Sequence, residues 1–217
     1  TQYTFEELKA AVDAAGAWNT YVTVHAYTPE AMQMAIKAGV KSIEHGNLMD
    51  EKTAKLIAKK GVWLCLQPFL DDEDAIPFPD GSASRKKWLL MTKGTEKTYA
   101  FAKKYKIKTA WGTDTLFSAA LATRQGAQLA KLSRWYEPWQ VLKMATHDNA
   151  ELLALSGPRS PYPHKLGVIE NNAYADLILV NGNPLKDINL IANPDKNFAM
   201  IIKDGVIYKN TLNSLEK

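Results

Sequence analysis

The sequence holds a single cysteine, Cys65, inside the apolar run GVWLCLQ. One cysteine excludes an intrachain disulfide and leaves the redox compartment open. In that setting the thiol reads as a small buried apolar group rather than as a nucleophile. No apolar stretch approaches the roughly 20 residues that a bilayer span requires, so no membrane partner is expected. Charge of one sign is also scarce. Lys and Arg number 27 against 23 Asp and Glu, a net charge of +4. The lysines are spread along helical faces, as in EKTAKLIAKKG and FAKKYKIK, with no basic run and no interleaved aromatic platform. Nucleic acid is therefore not an expected partner. Internal repeats and low-complexity segments are absent. The chain begins at Thr1 without a Met, a charged leader or an apolar signal core. That start fits a segment of something longer, a trimmed protein or a mature N-terminus, and the compartment stays undecided.

What is present is a length of 217 residues, 46% of them hydrophobic, enough for a sizeable core. Through about residue 115 the pattern alternates between helix and strand. A first helix is expected over 4–15, opened by the Thr4 and Glu7 capping-box pair and stopped at Gly16. The strand YVTVH follows. Thr28 can cap the next helix with Pro29 at its first position, and Gly39 ends it. KSIEH is a second strand, and Asp50 caps a helix that runs to Gly61. VWLCLQ is a continuous apolar run, as in a strand covered on both faces. An Asp- and Pro-rich loop over about 71–84 leads to a long helix over 85–105. IKTAWGTD supplies the fourth strand. Such β–α alternation implies a parallel sheet, either doubly wound or closed into a barrel.

Helical segments continue to about 155, and the Pro- and Gly-rich GPRSPYPHKLG then marks a boundary. Beyond it the chain reads as short strands: GVIE, ADLILVNG and AMIIKDGVIYKN. Asp204-Gly205 between alternating apolar residues is a type I′ hairpin signal. The expected organisation is thus an α/β domain over 1–160 and a small β module over 161–217.

Three chemistry-bearing residues fall at strand carboxyl ends: His25, His45 and Asp114. In barrels and in open α/β sheets alike, that end carries the ligand site. Imidazole and carboxylate are also zinc-binding groups. Any one of the three could instead be a satisfied polar residue at the rim, or a cap. Their joint appearance in three separate βα units favours a common site.

The blocks VTVHAYTPEAMQMAIKAGVKSIEHGNLMDEKTAKLIAKKGVWL and TAWGTDT closely resemble the metal-dependent amidohydrolase superfamily, in particular its imidazolonepropionase-related, Xaa-Pro dipeptidase-like branch. The tail from ATHDNAELLALSG to IIKDGVIYKN resembles the same branch, so the resemblance covers nearly the whole chain. It implies strands five to eight of a (β/α)8 TIM barrel, followed by part of a β-sandwich. It makes His25 and His45 metal ligands, and Asp114 both a metal ligand and the general base. It makes Tyr27 a contact for the substrate's carboxylate, although a tyrosine packed beneath the loop would look the same. The implied cofactor is one or two divalent ions, zinc foremost. The implied activity is hydrolysis of amide or peptide C–N bonds, of the dipeptidase or carboxypeptidase kind. Ring amides and N-acyl amino acids remain alternative substrates.

The sequence departs from the family pattern in two places. It contains no His-x-His pair, and the Lys that bridges two metals in the family would lie before Thr1. A partial barrel with weak or no activity by itself, completed by self-assembly or by further chain, is therefore also expected. Exposed sheet edges in such a piece favour a homo-oligomer. His147 reads as a capping or packing residue and His164 as an exposed linker residue.

Overall fold

The structure is a computed structural model that describes residues 1–115 and 118–212. The chain divides into two compact units, residues 1–114 with 152–160 and residues 115–151 with 161–217.

The first unit is α/β. Helix α1 (Phe5–Ala17) opens on Thr4, whose hydroxyl accepts the Glu7 N–H while the Glu7 carboxylate accepts the Thr4 N–H at 2.8 Å. The helix runs through Gly16, the expected stop, and closes one turn's fraction later at Trp18. Helix α2 (Pro29–Ala38) starts from the Thr28 cap and α3 (Glu51–Lys60) from the Asp50 cap; they stop at Gly39 and Gly61. Between the helices run strands β1 (Thr23–Ala26), β2 (Ser42–His45), β3 (Trp63–Leu66) and β4 (Thr109–Trp111). All pair in parallel and in chain order β1-β2-β3-β4. The register sets His25 opposite Glu44 and Ala26 opposite His45, so the two histidines come from neighbouring strand ends one residue out of step.

Met32 and Ile36 of α2, Ile57 of α3, Tyr99 of α4 (Ala83–Lys104), and Ile43 and Leu64 of the sheet are all buried. Each buried large aliphatic side chain contributes about 1.5–3 kcal/mol of transfer free energy. Together they hold rigid the strand ends that carry the polar residues.

Helix α4 has a second task. Its Thr92, Thr95 and Thr98 are buried, an unusual stripe of hydroxyls at helical spacing. The Thr98 hydroxyl reaches the Gly46 carbonyl (3.2 Å) and the Asn47 carbonyl (3.1 Å). Thr95 accepts from Asn47 Nδ2 at 3.0 Å and donates to the Phe69 carbonyl at 2.8 Å. The loops leaving β2 and β3 are thus tied to one helix. Gly94 permits this approach, because a Cβ built there would lie 1.9 Å from the Asn47 carbonyl oxygen. Alanine is a better helix former than glycine by about 1 kcal/mol. The contact outweighs that gain, since overpacking of this kind costs about 1–3 kcal/mol. Gly94→Ala should therefore lower the denaturant midpoint; a variant as stable as the parent would show that α4 does not press on the His45 loop.

The second unit combines short helices, α5 (Ala119–Ala122), α6 (Gln125–Ala130) and α7 (Pro138–Lys143), with a three-stranded antiparallel sheet. Its strands are β5 (Leu177–Val180), β6 (Phe198–Lys203) and β7 (Val206–Asn210), in the order β5-β6-β7. Asp204 (φ +51°) and Gly205 (φ +76°) make the hairpin turn, both left-handed as type I′ requires. The Asp204 N–H donates to the Asp176 carboxylate at 2.7 Å, which ties the turn to the start of β5. GVIE is not a strand. Its neighbourhood forms only a single bridge, Lys165 to Ala173, and Ile169 is 89% exposed. Two apolar residues without a partner ladder do not bury enough surface to hold an extended segment. Residues 213–217, the end of the expected β module, lie outside the described residues.

Candidate functional site

The carboxyl ends of β1, β2 and β3 and the residues after β4 bring four polar side chains together within the first unit. His25 Nδ1 and His45 Nε2 face each other at 2.6 Å, with ring centroids 4.7 Å apart. Asp114 stands beside His45, its Oδ2 3.9 Å from the same Nε2. Gln67, at the end of β3, closes the other side of the ring: its Oε1 lies 2.8 Å from His45 Nδ1. His45 is 2% exposed and Gln67 3% exposed, whereas Asp114 is 28% exposed and open to an incoming molecule.

The backbone is bent to achieve this. His45 has φ +79° and Asp114 φ +53°, two of the few non-glycine residues in the left-handed region. Aspartate tolerates that region; for histidine it is a sparsely populated conformation with a cost of order 1–3 kcal/mol. Gly46 continues the turn at φ +65°, and a Cβ there would meet Leu64 Cδ1 at 2.8 Å. The strain is held by the α4 threonines and by packing of the ring. Tyr27 stacks on His45 at 4.6 Å and 6° between planes, and Phe69 lies over it at 6.0 Å and 26°.

Burial is the main cause that pushes the His45 pKa below its ordinary value, against the opposing pull of the Gln67 hydrogen bond and the Asp114 charge. The ring is therefore neutral at neutral pH, the form that offers a lone pair. Burial, and then Asp114, push the Tyr27 phenol upward, so it remains a hydrogen-bond donor. Burial also pushes the Cys65 thiol well up, which fits its reading as an apolar filler.

Two imidazoles with facing nitrogens, one of them the neutral ring of His45, are a donor set suited to zinc. Two ligand atoms on one tetrahedral zinc ion stand ~3.3 Å apart, so the rings would separate by roughly 0.7 Å from their present 2.6 Å. Asp114 does not complete a tight triad with them. Among the described residues, the three-residue group whose ligand atoms all lie within 4.8 Å of one another is His147, Asp148 and Glu151. That group occupies the second unit, around a π-turn over Met144–Asp148. There His147 Nδ1 is 3.0 Å from Asp148, while Lys143 already forms an ion pair with the same carboxylate. His147 thus packs into a local charge network, and a cation there would have to displace an ammonium group.

Tyr27, His25, His45 and Asp114 all came from sequence; Gln67 and Phe69 did not. The signal for Gln67 was the polar residue closing an otherwise apolar strand run at the same end as the two histidines. The acidic loop after β3 is anchored at its base. Arg85 grips Asp71 through two hydrogen bonds of 2.5 and 3.0 Å, and Phe69 and Phe78 pack on Trp88 at 5.2 and 6.4 Å.

A parallel α/β sheet thus carries His25 and His45 at neighbouring strand ends, with Asp114 just beyond the end of β4. The Amidohydrolase family model matches residues 1–208, and the chain belongs to that family. It is 30% identical to ochratoxinase of Aspergillus niger over 210 residues, 96% of this chain and 42% of that protein. The fold is similar to a crystal structure of a prolidase complexed with N-methylphosphonate-L-proline (TM-score 0.85, 30% identity, 97% of this chain and 50% of that one). It is also similar to a Xaa-Pro dipeptidase with methionine bound in its active site (TM-score 0.81, 31% identity, 96% of this chain and 50% of that one). The chain thus spans about half the length of the solved relatives, and 42% of the curated one.

Proposed function

We propose that the protein is a metal-dependent hydrolase of amide or peptide C–N bonds, of the dipeptidase or carboxypeptidase kind, with its site at His25, His45 and Asp114. The observation that carries the reading is the face-to-face pair of His25 Nδ1 and neutral, buried His45 Nε2, with a carboxylate beside them. The strand order β1-β2-β3-β4 supports a (β/α)8 barrel, because a doubly wound sheet reverses direction at a switch point and this one does not. The similarity to a prolidase and a Xaa-Pro dipeptidase supports the substrate class.

His25 and His45 would hold a divalent cation, zinc by the chemistry of two imidazoles. Bound there, such an ion supplies hydroxide near neutral pH and polarises the scissile carbonyl. Asp114 performs the proton transfer. Its carboxylate takes a proton from the attacking water and delivers it to the departing amine nitrogen. Partial exposure lets substrate reach it, and its left-handed backbone turns the side chain back towards His45. Tyr27, held protonated and stacked on His45, donates a hydrogen bond to the substrate's carboxylate. Ring contacts with Tyr27 and Phe69 hold His45 in place as substrate enters.

The test is a panel of Xaa-Pro and other dipeptides, N-acyl amino acids and ring amides, assayed with the complete enzyme before and after chelation, residues 1–217 alone being expected to turn them over weakly or not at all. Turnover of dipeptides should disappear on chelation and return with Zn²⁺, Mn²⁺ or Co²⁺. Hydrolysis that survives exhaustive chelation would overturn the metal-dependent reading.

A further inference from the structure

We propose that Gln67 is a positioning residue that fixes the tautomer of His45, so that the ring carries its proton on Nδ1 and turns a bare Nε2 towards His25 and Asp114. The inference deepens the metal-site reading above and, as regards zinc, rests on it.

The case begins with the Gln67 amide, whose two ends are chemically different. Its Nε2 lies 3.4 Å from the Cys65 carbonyl oxygen and 3.8 Å from Cys65 Sγ. A carbonyl can only accept, so the NH₂ end must face it. The Oε1 end is thereby turned to His45 Nδ1 at 2.8 Å, and an amide oxygen can only accept. His45 Nδ1 must then be the donor. A neutral imidazole with its proton on Nδ1 has its lone pair on Nε2, the atom that meets His25 Nδ1 at 2.6 Å. Without a cation, His25 Nδ1–H donates to that lone pair. With one, the lone pair is free to bind it.

The direction of the whole relay is set by the Cys65 backbone, which is itself fixed by pairing with Glu44 in β2 and Ala110 in β4. At 3% exposure, water cannot replace Gln67 as the acceptor without a rearrangement. The neutral amide differs from the carboxylates that often perform this task, because it orients the ring without adding negative charge to the site.

The test reads the tautomer directly. In the metal-free protein with ¹⁵N-labelled histidine, long-range ¹H–¹⁵N spectra distinguish a protonated from a bare ring nitrogen. His45 is identified by the signals lost in His45→Asn. The wild type should show His45 protonated at Nδ1 and bare at Nε2. Gln67→Leu, which removes the acceptor, should shift the ring towards the opposite tautomer and weaken zinc binding about 10–100-fold, the usual effect of losing such an outer partner. Gln67→Glu, whose buried side chain as the neutral acid offers its carbonyl oxygen to His45 and its O–H to the Cys65 carbonyl, should recover both the tautomer and most of the affinity. A Gln67→Leu protein with an unchanged His45 tautomer would overturn the proposal. So would Gln67→Glu behaving like Gln67→Leu, because packing rather than the acceptor would then be at stake. If the wild type holds the Nδ1-protonated ring and loses it in Gln67→Leu, yet takes up no zinc, the orienting role stands and the metal-site reading falls.

Discussion

In the complete enzyme, Asp114→Asn should lower kcat by about 10²–10⁴-fold while KM changes little, since a proton acceptor is lost and the shape of the site is kept. The substitution is suited to the question. Asparagine tolerates the left-handed backbone that Asp114 adopts at φ +53°, so the turn is not strained. Its side chain has the same size, and its oxygen can still receive a hydrogen bond from water. It cannot take up a proton at neutral pH. Any loss therefore reports chemistry and not folding, and steady-state kinetics on the metal-loaded protein measures it. Near-normal turnover would exclude Asp114 as the base.

His45→Asn should have a different signature. Zinc uptake should be lost along with turnover, which should fall by about 10³-fold or more, as expected when several kcal/mol of charge stabilisation are removed. Asparagine is again chosen for the backbone, here at φ +79°, where alanine would leave the strain uncompensated. Losing the ring also removes its contacts with Tyr27 and Phe69, so a parallel unfolding curve is needed to separate misfolding from metal loss. His147→Asn is the control. His147 lies in the other unit and pairs with Asp148, so its removal should leave zinc uptake and turnover unchanged. If His45→Asn kept its zinc while His147→Asn lost it, the cation site would be the His147, Asp148 and Glu151 group.

Residues that act on their near neighbours in sequence were legible before the structure. Thr4 with Glu7, Thr28 before Pro29, Asp50 before Glu51 and the Asp204-Gly205 turn each act within about four residues, and each behaves as read. The strand-end histidines were legible for a related reason, because short apolar runs closed by a polar residue place that residue at the sheet's carboxyl end. Interactions that span many residues were not legible. Thr95 and Thr98 reach loop atoms 26 to 52 residues away, and nothing local distinguishes them from solvated helix threonines. Gln67 was hidden because its meaning depends on a ring 22 positions earlier. GVIE misled because a pair of apolar residues resembles a strand only if a partner ladder exists, and Ile169 has none.

The proposed cation position between His25 and His45 is tested most directly by anomalous diffraction at the zinc edge from crystals of the zinc-loaded protein. The expected result is a single strong peak about 2.0–2.1 Å from both His25 Nδ1 and His45 Nε2, with the rings moved apart from their present 2.6 Å. Loaded crystals with no density between the two imidazoles, or with zinc only at His147, Asp148 and Glu151, would contradict it.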